Sequence, residues 1–243
     1  MDDMPVPPWR ERKKPAPARR ALSYEQIVEA AMTVLDAEGV DAMSMRRVAQ
    51  ELGTGAASLY AHVQNKDDLV EAVLDRVFSE VEIPASTGDW RTDLTRLAYA
   101  TRDALARHRD IAKALWGKVP TSANALRLSD HVYGMLRDIG LPDQLVAWAS
   151  PLLFDYITAD AYEGSLYAAT FGDVSGSAKY FEELGEYFVA LPPERFPNIV
   201  GMAKTITSGG GEERFAFGLD VLVTGIAAKA AESQSLGDRG GDA

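Results

Sequence analysis

Two short helical patterns flank the turn Gly53-Thr54-Gly55, and the side chains around them are small or hydrogen-bonding: Ser44, Arg46, Arg47, Ser58, Tyr60, His62 and Lys66. That spacing builds a helix-turn-helix, in which one helix braces a second one lying in the major groove of DNA. The chemistry of such a motif is recognition, not bond-making. It needs a narrow surface that can enter the groove and donors that clamp phosphate on both sides. By residue type alone a plainer account stays open: Arg46 as a solvated helix charge, Tyr60 as an aromatic at a core edge, and His62 as a structural histidine.

Rival chemistries lack their parts. Cysteine is absent, which removes disulfides, thiolate metal sites and cysteine nucleophiles. His108 and His131 have no partner at the three- or four-residue spacing of a helical metal site. No metal and no cofactor are therefore expected. Asp155, Asp160 and Glu163 recur at near-helical spacing and suit acid–base work. No Ser–His pair or metal cluster accompanies them. Gly209-Gly210-Gly211 lacks the Lys-Ser/Thr of a phosphate-binding loop. The sequence reads as that of a non-enzyme.

The elements that must position the motif are legible from caps and periodicity. A first helix opens at Ser23 with Gln26 three residues on, a capping box, and carries Ile27, Ala31, Val34 and Leu35 to Gly39. Ser44 caps a second, whose Met45, Val48, Ala49 and Leu52 form one stripe. A third spans 56–63 with Leu59 and Val63 inward. Asn65 caps a fourth, Asp67 and Asp68 suit its positive end, and it stops before Pro84. Residues 85–88 read as a connector. Helical patterns follow over 89–107, 110–116, 121–139 and 142–169, a Gly/Ser-rich loop over 171–177, shorter helices over 178–190 and 194–206, and a last helix over 212–232. No Val/Ile alternation suggests a sheet, so the fold class is all-α.

With 243 residues, 47% of them hydrophobic, the chain can bury a sizeable core. No apolar run approaches the roughly 18–20 residues of a membrane span. The proline-rich, charged first twenty residues have no apolar core of a secretory signal. A cytoplasmic protein without membrane contact is expected. Net charge is −11, yet between Trp9 and Lys66 nine Lys/Arg oppose seven Asp/Glu, so the acid lies mostly outside the motif. Residues 1–20, with Arg10, Arg12, Lys13, Lys14, Arg19 and Arg20, read as a disordered basic arm: a solvated tail, or one that reaches phosphate or the minor groove.

Met43-Ser44-Met45-Arg46-Arg47-Val48-Ala49-Gln50-Glu51-Leu52-Gly53, Ser58-Leu59-Tyr60-Ala61-His62-Val63 and Asn65-Lys66-Asp67-Asp68-Leu69 resemble the DNA-binding domain of the TetR (tetracycline-repressor) family over residues 23–78. His108-Arg109-Asp110-Ile111-Ala112-Lys113, with Gly117 and Pro120, is similar to the segment after the fifth helix of the tetracycline repressors. Trp90, Phe217-Gly218-Leu219 and Gly225 fit the same subgroup. The resemblance implies an N-terminal three-helix DNA-binding domain with the helix-turn-helix over 21–83, and a larger helical ligand-binding and dimerisation domain over 89–232. A disordered tail is expected over 233–243.

The resemblance also implies roles. Ser44, Met45 and Arg46 begin the bracing helix beside phosphate, with Arg46 the donor to phosphate or a base. Ala56, Ala57, Ser58, Tyr60, Ala61 and His62 lie at or near the groove, and Lys66 meets phosphate from the next helix. Gly55, Ala56, Ala57 and Ala61 carry no long hydrogen-bonding side chain, so DNA shape and the arm are expected to bear much of the specificity. Ligand contacts fall on Leu97, Thr101, Leu115, Lys118 and His131, with Trp116, Met135, Phe154 and Tyr156 as further lining. Core packing is the alternative for each. Tetracycline repressors place a metal-ligating histidine where this chain has Leu115, so the expected inducer is aromatic or apolar and not Mg-tetracycline. Phe215, Leu219, Leu222 and Ile226 in the last helix and Leu145, Trp148, Leu152 and Tyr156 upstream would pair two chains into a homodimer. The function implied is a ligand-responsive DNA-binding regulator, a repressor released from double-stranded operator DNA by a small molecule. The alternative is a helical ligand-binding or interaction module without operator recognition.

Overall fold

A computed structural model describes residues 22–119, 121–172 and 174–240. The basic arm expected at 1–20 lies outside them. Every regular element among the described residues is a helix, without a strand. Helix α1 (Tyr24–Glu38) starts at the capping box, with Ser23 Oγ accepting from Gln26 N and Gln26 Oε1 accepting from Ser23 N. Helix α2 (Met45–Glu51) follows, then a 3-10 helix over Ala56–Ala61, then α3 (Lys66–Ser79). The segment expected as a third α-helix over 56–63 is thus a shorter and tighter one. Gly55 precedes it without a side-chain cap, and a six-residue element suits 3-10 geometry.

The body contains α4 (Trp90–Ala106), a 3-10 helix over Ile111–Leu115, α5 (Ala123–Asp138), α6 (Asp143–Phe171), α7 (Val174–Val189), α8 (Pro197–Ile206) and α9 (Gly211–Gly240). Helix α6 packs on α4, with Val146, Leu153, Ile157 and Ala161 buried along its length. Helix α9 runs antiparallel to α6: Arg214 pairs with Glu163, Phe215 stacks on Tyr156, and Gln234 donates to the Ile139 carbonyl.

Three expectations are corrected. The loop expected over 171–177 is short, because α6 persists through Phe171 and α7 begins at Val174; Tyr167, Phe171, Tyr180 and Phe181 stack across the bend and hold the helices together. The structureless tail expected from 233 is helical as far as Gly240, with Gln234 tied to Ile139 and the Ser233 hydroxyl bonded back to Lys229. Phe215, Leu219 and Ile226, expected at a contact between chains, are buried in this chain's own core, while Trp148 and Leu152 of α6 and Phe217 and Val221 of α9 face outward. Helical spacing marks an apolar stripe but not which of two partners covers it.

The connector between head and body is pinned by one carboxylate. Asp93 in the first turn of α4 accepts from Ser86 Oγ at 2.6 Å, Thr87 N at 2.8 Å and Thr87 Oγ1 at 2.7 Å. Those bonds, led by that from Ser86, hold its carboxyl below the ordinary range. A depressed carboxyl contributes stability that is fully present above its unfolded value, about pH 4, and is lost as pH falls through the lower folded value. Asp93→Asn is therefore expected to be less stable than the parent at neutral pH, with the gap closing in acid. Urea denaturation across a pH series checks this; a gap that widens in acid contradicts it.

Candidate DNA-reading head and ligand cavity

The reading head is built on what it buries. Leu59 and Val63 plug the space between α1, α2 and α3, together with Ile27, Val34, Met43 and Val48. Gly53 takes φ +62°, which lets the chain turn sharply after α2, and Thr54 N donates back to the Ala49 carbonyl. With Leu59 pointing in, Ala57, Ser58, Tyr60, Ala61 and His62 point out. Tyr60 is 56% exposed. Ser58 Oγ accepts from Thr54 Oγ1, which orients it at the start of the reading element.

The flanking donors fall into separate groups. Ser44 caps α2, its Oγ accepting from Arg47 N at 3.2 Å. Arg46 is exposed and, among the described residues, makes no ion pair. Arg47 is committed internally, bridging Glu38 and Glu51. Lys66, at the start of α3, donates to the Asp41 carbonyl at 3.4 Å, a long bond that leaves it placed beside the head. Asn65 caps α3 through a bond from Asp68 N. Two expected contact residues sit elsewhere. Met45 is buried, so only its backbone N–H at the start of α2 is available, and Ala56 packs partly against the core.

Beneath the head, the 108–113 segment bolts the body to the end of α1. Asp110 Oδ1 accepts from Val40 N at 2.7 Å, and Arg109 Nη1 donates to the Ala37 carbonyl at 2.6 Å. His108 lies between Asp36 at 3.0 Å and Glu80 at 3.1 Å. Lys113 pairs with Asp41 and holds that carboxyl below its ordinary range. Gly39 has φ +91°, and a Cβ there would meet the Asp110 carboxylate at 3.1 Å, so the close approach needs glycine. This run stood out in the sequence, and its use is as a joint.

The body holds a cavity of about 760 Å³ that opens to solvent, the size of drug-like ligand sites. Its walls are Leu94, Leu97, Ala98 and Thr101 of α4, Ala125, Leu128 and Val132 of α5, and Leu153, Phe154 and Ile157 of α6. Phe78 of α3 completes the floor, its ring 5.9 Å from that of Phe154. Polar groups line the rest: Lys118, Arg127, Ser129, Asp130, Tyr133, Ser150 and Asp155.

Of the residues expected around a ligand, Leu97, Thr101, Lys118 and Phe154 line this cavity, and five do not. Leu115 is buried in the core, Trp116 is 59% exposed, and Met135 packs against the core from α5. His131 sits half-buried off the lining. Tyr156 is turned toward α9, donating to the Arg214 and Phe215 carbonyls and stacking on Phe215. Sequence reasoning missed Phe78 and the α5 wall. The spacing of Ala125, Leu128 and Val132 was a signal for the latter; nothing in the local pattern of α3 sets Phe78 apart as a cavity residue.

A helix-turn-helix head joined through α3 to a helical body with a large apolar cavity defines a DNA-binding transcriptional regulator. Residues 27–73 match the family described as bacterial regulatory proteins, tetR family, and residues 84–230 match the tetracyclin repressor-like C-terminal domain. The chain belongs to the TetR family. It is similar to the HTH-type transcriptional repressor DrrR1 of Streptomyces coeruleorubidus, 30% identical over 90% of this chain and 82% of that protein. An HTH-type transcriptional regulator of Saccharopolyspora erythraea is 31% identical over 91% of this chain and 92% of its own length. Among solved structures, ActR of Streptomyces coelicolor in complex with actinorhodin superposes with a TM-score of 0.80 at 38% identity, over 87% of this chain and 98% of that one.

Leu59 is fully buried on the reading element itself. Leu59→Ala is expected to destabilise the protein by about 2–5 kcal/mol and to abolish DNA binding with the cavity intact. Denaturant melts paired with DNA titrations check it; undiminished DNA binding would show that the plug is not what presents the face.

Proposed function

We propose that this chain is a homodimeric repressor that leaves its operator when an aromatic or apolar organic molecule fills the cavity. The observation that carries the reading is the double duty of α3. Its first residue, Lys66, stands beside the reading face, and Phe78, twelve positions on, is cavity wall. At 1.5 Å per residue the two lie roughly 18 Å apart on one rigid element. A molecule that favours the conformer whose heads are wrongly spaced lowers DNA affinity by the factor that DNA lowers its own binding.

On this reading Arg46, Tyr60, His62 and Lys66 clamp phosphate, Ser44 and the backbone N–H of Met45 approach it at the start of α2, and Ser58 with Ala57 and Ala61 enters the groove. Two heads must span half-sites about one helical turn apart. The outward Trp148 and Leu152 of α6 and Phe217 and Val221 of α9 supply an apolar face for pairing. The apolar walls and the similarity to ActR, crystallised with actinorhodin, support an aromatic ligand.

The decisive experiment selects bound genomic fragments with purified protein, then titrates the recovered fragment with and without actinorhodin. Salt-sensitive binding that the compound weakens is expected. Absence of binding to any fragment would turn the reading toward a ligand-binding module. On the recovered operator, Lys66→Ala should weaken binding evenly across sequences and lower the salt slope by about one. Single-base variants compared with and without residues 1–20 should show modest direct readout and a clear contribution of the arm. Mismatch penalties of the full ~1–3 kcal/mol at every central position, unaffected by the arm, would overturn that division of labour. Trp148→Asp combined with Val221→Asp should sediment as a monomer.

A further inference from the structure

Helices α3 and α5 finish one another's ends. The N-cap residue of α5, Ser122, makes no side-chain cap, so the first N–H groups of that helix need an outside acceptor. Asp75 of α3 supplies it: Oδ1 accepts from Asn124 N at 2.7 Å and Oδ2 from Asn124 Nδ2 at 3.0 Å. One turn earlier on α3, Glu71 accepts from Thr121 Oγ1 at 2.7 Å. In the opposite sense, Arg127 of α5 donates to the Phe78 carbonyl at 3.2 Å and the Val81 carbonyl at 3.0 Å, covering the end of α3. A carboxylate thus meets the positive end of one helix, and a guanidinium meets the negative end of the other.

From this geometry we infer that the reciprocal cap, centred on Asp75 and Asn124, is the positioning device that couples cavity occupancy to the pose of the reading head. Arg127 and Phe78 both line the cavity, so a ligand touches the clamp at its C-terminal bond. A shift of α5 against α3 must break or carry with it the bonds at Asp75, nine residues after Lys66. The cavity floor alone is apolar and tolerates sliding, whereas the charged, directional caps fix the register of the two helices. The inference rests on the ligand-release reading and adds to it the residues through which release is transmitted.

The test uses the full chain and the operator fragment recovered above, with actinorhodin as probe. Asn124→Asp sets a second carboxylate against Asp75; acid in the first turn suits α5 itself, so the contact is weakened without unravelling the helix. Asp75→Ala removes the acceptor. Both variants are expected to keep helical content and probe affinity within twofold of the parent. They should bind operator at least fivefold more weakly, and the probe-induced loss of affinity should shrink at least threefold. The exchange Asp75→Asn with Asn124→Asp restores a donor–acceptor pair and should recover the parent's response. Should Asp75→Ala fail to fold, Asn124→Asp and the exchange decide. An unchanged probe response in Asn124→Asp overturns the coupling role, even where operator affinity falls. A parent indifferent to actinorhodin counts against the ligand reading instead. The clamp then stands if Asn124→Asp weakens operator binding and the exchange restores it, and falls if either does not occur.

Discussion

Everything in this protein depends on one helix that must satisfy two cores at once. Leu69, Val70, Ala72, Val73, Leu74, Val77 and Phe78 of α3 are buried over a broad arc that two sets of neighbours share, leaving Glu71, Arg76 and Ser79 exposed. One flank closes the head over Leu59 and Val63, and the far end closes the body under Phe154. The buried apolar residues of head and body consequently form one continuous cluster. Close packing resists compression and passes displacement on, so the head cannot rotate without the body registering it.

Polar groups police the edges of this shared core. The head–body seam is crossed by Asp110 to Val40 N, Arg109 to the Ala37 carbonyl, and His108 between Asp36 and Glu80. Two of these four contacts reach backbone groups at the end of α1, where unsatisfied groups are concentrated. Exposed ion pairs contribute little stability on their own. Bonds that complete helix termini instead specify where one element stops against another, and that is what a joint requires. The chain's net negative charge lies mostly away from the reading face, where Arg46 is exposed and Lys66 is held only by its long bond to the Asp41 carbonyl.

The head was legible almost residue by residue, because its boundaries are written in local chemistry. Ser23 with Gln26, Ser44 and Asn65 each cap the helix they announce, and Gly53 adopts the left-handed turn its position demanded. The body was legible as helices but less so as surfaces. Tyr156 has the character of a ligand-stacking aromatic, yet its hydroxyl reaches the Arg214 and Phe215 carbonyls across fifty-eight residues or more of sequence, a partner no local pattern names. Phe215 and Leu219 carried the right spacing for a pairing stripe and were claimed by the chain's own core. Phe78, given no role from the sequence, is both core and cavity wall. Periodicity reports that a side is apolar; the identity of what lies against it is fixed only by tertiary packing.

The reading element is anchored by a residue that faces inward and decorated by residues that face outward, and these two sets do not overlap. Leu59, with Ala56 partly packed beside it, secures the 56–61 turn to the head, while Ala57 and Ala61 end in a methyl group directed at solvent. Replacing either alanine therefore disturbs no packed neighbour. The residue that secures this short element and the side chains it exposes are separate positions. If those side chains meet DNA as proposed, a lineage carrying the element is free to change the sequence it visits, one exposed side chain at a time, without first having to repair its fold.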